Sequence, residues 1–155
     1  MNLLKTTPSV GPILLFALVL GALVYIARAA ESPGSGVIHI DHEKVAAAFA
    51  NGSRLIATNN FKIQTGRREM GGEVEVHEED TDTFYILEGS ATFITGGKVV
   101  QPRMVSAGET RAKEIVGGEE HKLVKGDVIV IPKRVPHWFK EVHGLLLYYV
   151  VKVSN

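Results

Sequence analysis

A chain of 155 residues with 45% hydrophobic composition is long enough to close one domain around a real core. Its 17 Lys and Arg balance 17 Asp and Glu, and with no long basic run this argues against a nucleic-acid partner. Cysteine is absent, which removes disulfides, thiolate metal ligands and a cysteine nucleophile, so any metal must be held by nitrogen and oxygen.

The first thirty residues differ in kind from the rest. Lys5 gives a short positive region, Pro12 to Ile26 is an uninterrupted apolar run, and Ala27-Arg28-Ala29 has the small-x-small form of a cleavage site. Residues 1–29 therefore read as a secretory signal peptide, and the chain as exported, to a periplasm or beyond the cell. Counted from Val10, the run reaches the lower edge of bilayer-spanning length, so an uncleaved membrane anchor facing outward is the alternative. Contact with a membrane is expected only in that case.

Residues 30–53 hold a spacer and a helix. "ESPGSG" is a flexible Gly/Ser/Pro stretch. In "DHEKVAAAFANG", Asp41 can cap, the alanines favour helix, Val45 and Phe49 repeat at i, i+4, and Gly52 can terminate it. One short helix near His42 to Ala50 is expected.

From residue 54 to 155 the pattern is β. Runs such as "KIQTGRREM", "GEVEVH", "DTFYILE", "SATFIT", "KVVQPRM", "ETRAKEIV", "GDVIVIP" and "GLLLYYVVKV" are rich in β-branched and aromatic residues and are divided by "EGS", "TGGK", "VGGE" and "VKGD". Many short strands at close spacing predict a sandwich or barrel. In "GEVEVH", Glu73, Glu75 and His77 share one face and Val74 and Val76 the other. The next run is apolar on both faces after Asp82, which places this hairpin centrally. An inward carboxylate or imidazole there needs a partner or a metal. Far down the chain, Gly126-Asp127 opens an apolar strand, Pro132 ends it and Pro136 fixes the approach of His137.

Together these two stretches resemble the paired motifs of the cupin superfamily, over roughly Phe61 to Val153. Gly71 or Gly72 stands at the first glycine of motif one, Glu75 at the first histidine, His77 at the second, Asp82 at the acidic position and Gly89 at the closing glycine. Gly126, Pro132 and His137 match motif two. The resemblance implies an all-β antiparallel jelly-roll barrel with one short N-terminal helix, a divalent metal in the barrel, a small-molecule ligand and a homodimer. Two departures matter: Glu75 replaces a histidine and Asp82 replaces a glutamate.

A metal set of Glu75, His77, Asp82 and His137 is harder than three histidines and a glutamate. It favours Mn²⁺ or Fe²⁺, with Zn²⁺ and Ni²⁺ compatible. Glu75 is either a fourth ligand or a general base beside the ion. The leading functional reading is a small metal-dependent enzyme of oxygenase, isomerase or lyase type; the alternatives are a non-catalytic small-ligand-binding cupin, a structural domain on an anchor, and a barrel in which Glu75 and His77 only bond internally. Glu78, Glu79 and Asp80 read as a solvated turn, and His39, His42, His121 and His143 as surface or structural residues. Arg67, Arg68 and Arg111 are expected at the surface, an inward one implying an anionic ligand. One of Tyr148 and Tyr149 should face inward.

Overall fold

The computed structural model describes residues 36–154. The expected signal peptide or alternative anchor, residues 1–29, and the start of the spacer lie outside them. The described residues form one compact unit, and no helix among them is long and apolar enough to cross a membrane.

One α-helix stands among these residues, α1 (His42–Asn51). The Asp41 side chain accepts from Lys44 N at 2.9 Å, and Gly52 ends the helix in the left-handed conformation. Its inner face buries Ala48 and sets Phe49 edge-on to Tyr149. Thr65 Oγ1 donates to the Ala48 carbonyl at 2.9 Å, tying the helix end to the sheet beneath.

Eleven strands follow: β1 (Arg54–Ala57), β2 (Phe61–Arg68), β3 (Val74–His77), β4 (Asp80–Thr95), β5 (Lys98–Val100), β6 (Arg103–Ser106), β7 (Glu109–Ala112), β8 (Glu114–Val116), β9 (Glu119–Val124), β10 (Val128–Ile131) and β11 (His137–Ser154). All pair antiparallel. Two runs that read as single strands are each split. "KVVQPRM" breaks where Gln101 adopts a φ of 53° before Pro102, which offers no N–H to a ladder. "ETRAKEIV" breaks at Lys113, whose N–H turns to the Val100 carbonyl, so β7 stays with β3 while β8 pairs β5.

The barrel is organised by β4 and β11, long strands that pair with each other from His137↔Thr95 to Ser154↔Asp80. The far end of β11 pairs β2 and its beginning touches β3. The beginning of β4 pairs β10 and its far end β9. Each long strand thus serves both halves of the barrel, and each must bend. The ladder between them slips between His143 and Leu147, opposite Gly89. Gly89 has φ 80°, and a Cβ there would lie 2.1 Å from the Leu145 carbonyl oxygen, which explains the closing glycine of the first motif.

Alternation along the bent strands sends one set of side chains inward. Phe84, Ile86, Phe93, Leu123, Ile131, Phe139, Leu146, Tyr148 and Val150 form the core. Its centre is aromatic: Phe84 meets Phe93, Phe139 and Tyr148 at ring separations of 5.8, 5.6 and 5.4 Å. The inward direction continues past this plug into a polar cavity.

Candidate metal centre

The cavity, about 450 Å³, is lined by inward residues of β2, β3, β4, β7 and β11. Parity supplies the list: Glu75 and His77 from β3, Asp80 and Asp82 from β4, Tyr148, Val150 and Lys152 from β11. His137 enters at the start of β11, after Pro132 and Pro136. Its register partner on β3 is Glu75, so the two motifs meet side by side.

Glu75, His77 and His137 each offer a ligand atom within 4.8 Å of the others. His77 is 4% exposed and His137 3%, with ring centroids 5.1 Å apart. Each imidazole has its outer nitrogen occupied. His77 Nδ1 lies 2.6 Å from Glu109 Oε2, and His137 Nδ1 lies 3.2 Å from the Val135 carbonyl oxygen. Both partners are acceptors, so each Nδ1 carries hydrogen and donates. Nε2 is thereby turned into the cavity in both rings. His137 Nε2 has no hydrogen-bond partner among the described residues, and neither has Asp82 Oδ1. Buried polar atoms of this kind are costly to leave alone, and an imidazole held by a carboxylate or carbonyl on its far nitrogen is how metal-ligating histidines are oriented. The donor set therefore fits a divalent ion.

Asp82, 1% exposed, stands beside these three. Its Oδ2 is 3.4 Å from His77 Nε2 and 3.8 Å from His137 Nε2, but it also accepts from Lys152 Nζ at 2.5 Å. Lys152 Nζ is at the same time 2.8 Å from His77 Nε2. Two demands meet at that nitrogen: the lysine calls for a lone pair, the carboxylates of Asp82 and Glu75 for a proton. Burial works against a charged ring, yet the two carboxylates outweigh both burial and Lys152 and hold the His77 pKa up at about 9. Burial would raise the Glu75 carboxyl, but the hydrogen bond from His77 and then the charge of Arg111 bring it down to about 2. Burial pushes His137 below its ordinary value, leaving it neutral.

Arg68 and Arg111 flank Glu75 at 3.5 and 3.6 Å. Both line the cavity and are only partly exposed, which corrects the surface placement expected for them; Arg67 alone is exposed. Arg68 lies 5.0 Å over the Phe139 ring and its Nε donates to Tyr148 Oη at 3.0 Å. Tyr148 reaches there because residue 66 is glycine: a Cβ would lie 2.0 Å from the tyrosine ring. Asp80 is the second correction. It is buried, accepting from Lys62 at 2.8 Å and from Ser154 Oγ at 2.5 Å, because β4 begins at Asp80 and the turn is confined to the exposed Glu78 and Glu79. His39, His42 and His143 are exposed, and His121 bonds Thr95 Oγ1 at 2.8 Å.

Lys152 and Glu109 do not stand out in the sequence as site residues. For Lys152 a signal exists: it shares alternation with Tyr148 and Val150, so an inward tyrosine implies an inward lysine. For Glu109 there was none, since its place depends on β7 pairing β3 at His77↔Glu109.

No protein-family sequence model matches the chain, and no curated protein sequence does. Solved structures do. A protein of Bacillus halodurans shares 14% identity and a TM-score of 0.54, over 81% of this chain and 85% of its own. Hydroquinone 1,2-dioxygenase from Sphingomonas sp. TTNP3, with 4-hydroxybenzoate bound, shares 14% and 0.53, over 79% and 82%. An RmlC-like cupin family protein with a double-stranded β-helix fold, from Methanocaldococcus jannaschii, shares 15% and 0.50, over 77% and 90%. At such identities the likeness is one of fold: this chain has the cupin fold, with a His/Glu cluster in its barrel that could bind a metal.

Proposed function

We propose that the protein is an exported cupin that binds a divalent metal ion in its barrel and acts on a small molecule as a metal-dependent enzyme of oxygenase, isomerase or lyase type. One observation carries the reading: two buried imidazoles have Nδ1 spent on fixed acceptors and Nε2 turned into one cavity beside Glu75. Glu75, His77 and His137 would hold the ion, with Asp82 within reach as a further ligand. With two carboxylates among four donors, Mn²⁺ or Fe²⁺ is favoured over Zn²⁺ or Ni²⁺. A bound ion supplies a Lewis acid and a template for oxygen ligands. The chain supplies the rest. Arg68 and Arg111 present guanidinium groups at the cavity wall, the Tyr148 hydroxyl fixes Arg68, and the aromatic plug closes the cavity on its core side. The Sphingomonas dioxygenase holds 4-hydroxybenzoate, which supports a ligand of that size for a barrel of this fold. Lys5, the apolar run and Ala27 to Ala29 support export. Exposed Tyr85, Val128 and Val130, with Val128 opposite Tyr85 in register, support a homodimer.

A second reading draws on Lys152. Its ammonium already sits against His77 and Asp82, so a metal-free, non-catalytic cupin that captures a small ligand is the alternative. Metal analysis of protein purified from its own export compartment separates the two. The enzyme reading expects stoichiometric metal, lost in His77→Ala and in His137→Ala; equal metal in the wild type and in a variant carrying both substitutions would refute it.

A further inference from the structure

We infer that Lys152 is an internal cation that occupies the metal's place at His77 Nε2, so that metal entry and the Lys152 contact exclude each other. The inference rests on the reading of Glu75, His77 and His137 as a metal site. An imidazole nitrogen has a single in-plane lone pair. With Nδ1 donating to Glu109, Nε2 alone faces the cavity, and once the ring has given up the proton that Asp82 and Glu75 hold on it, the lone pair a metal needs is there. Lys152 Nζ is there, at 2.8 Å, nearer than Asp82 at 3.4 Å or Glu75 at 3.5 Å. A metal coordinated by His77 would use the same lone pair, so one of the two must leave.

The same ammonium holds Asp82 out of the ligand group. Asp82 Oδ2 is near both histidine nitrogens, yet its shortest contact is Lys152 at 2.5 Å. With Asp82 1% and Lys152 12% exposed, the pair lies where an uncompensated charge is costly. A divalent ion entering between His77 and Asp82 would take over both contacts of the ammonium and keep the carboxylate neutralised. The lysine would be released to the cavity, and Asp82 would turn from counter-ion to ligand. Without an ion, the site would then be held together by a cation the chain carries itself. An occupant present nine-tenths of the time lowers apparent affinity by about tenfold.

The test is titration of metal-stripped protein with Mn²⁺ and Zn²⁺, followed by calorimetry and by chelator competition, on wild type, Lys152→Met, Lys152→Gln and the Asp82→Asn, Lys152→Met double variant. Both single variants should bind metal about tenfold tighter than wild type, and metal should raise their melting temperatures more. If leaving Asp82 unpaired prevents the single variants from folding, the double variant, which lacks both charges, should bind tighter than Asp82→Asn alone. Wild type and variants binding metal equally would overturn this inference and leave the metal reading standing. Metal in Lys152→Met but none in wild type would support the inference and move the native protein to the ligand-binding reading. No metal in any variant would overturn both.

Discussion

Raising the pH of the metal-free protein from 6.5 to 9 should weaken its fold, and the loss should trace to one residue. His77 has its pKa held up at about 9 from an ordinary 6.5 by the carboxylates of Asp82 and Glu75, against burial. A group whose folded pKa lies above its unfolded one stabilises fully below the unfolded value and loses that contribution as pH climbs through the folded value. At 1.36 kcal/mol per unit, this shift corresponds to roughly 3 kcal/mol, present below pH 6.5 and gone above about 9. For a small domain that is a large share of total stability. The assay is urea unfolding of chelator-treated protein at pH 6, 7.5 and 9, beside His77→Gln, which keeps a polar side chain without a proton to gain. Wild type should lose stability across the window and the variant should not. The same slope in both would show that the carboxylates are not holding a proton on His77. Metal offers a second check on the same group: coordination requires the lone pair, so metal uptake near neutral pH should release about one proton.

At the acid limb the sign reverses. Glu75, with a pKa brought down to about 2 chiefly by His77 and Arg111 against burial, contributes stability above pH 4.5 that fades as pH falls toward 2, and Glu75→Gln should flatten that limb in an unfolding series; because Glu75 and His77 share one contact, the two effects should not add. Gly66→Ala should destabilise by about 1–3 kcal/mol in urea unfolding, since its Cβ must push the Tyr148 ring from 2.0 Å, and ligand binding that depends on Arg68 should weaken with it. Glu109→Gln should cost about 10–100-fold in metal affinity, read by chelator competition, because the carboxylate that fixes the His77 tautomer at 2.6 Å becomes an amide. Intact mass of the native protein should place the mature N-terminus at Ala30; a full-length chain in the membrane fraction would establish the anchor.

Much of the architecture was legible because two periodicities carry it. The helix announced itself through Asp41, the alanines and Gly52, all local signals. The inward face of β3 followed from alternation in "GEVEVH", and the spacing of Gly126, Pro132 and His137 marked the second ligand-bearing strand. Where reading failed, the cause was non-local. The inward turn of Arg68 and Arg111 is fixed by pairings with β11 and β3, across chain separations no window spans. Acidic runs favour solvent, which points Asp80 to a turn, yet Lys62 and Ser154, both remote in sequence, bury it. The splits at Gln101 and Lys113 were closer to legible, since Pro102 cannot continue a ladder.

The two departures from the cupin motif and the lysine the motif does not contain are best understood as one change. Placing Glu75 where a histidine is usual adds a negative charge to the cavity without adding a donor. Placing Asp82 where a glutamate is usual withdraws a carboxylate by one methylene, so that it reaches less far toward the histidines. Both changes call for a flexible cation. Lys152 provides it on the inward face of β11, directly opposite Asp82 in register, with a stem long enough to bring its ammonium to Asp82 Oδ2 and His77 Nε2 at once. Arg68 and Arg111 balance Glu75 in the same way, from opposite sides and at looser distances. In an Asp82→Glu variant the longer carboxylate would draw Lys152 off His77 and bring an oxygen toward both Nε2 atoms, and metal affinity should rise even though Lys152 is retained. Unchanged affinity in Asp82→Glu, beside a gain in Lys152→Met, would show that the lysine's hold on the histidine, and not the reach of the carboxylate, sets the barrier to the ion.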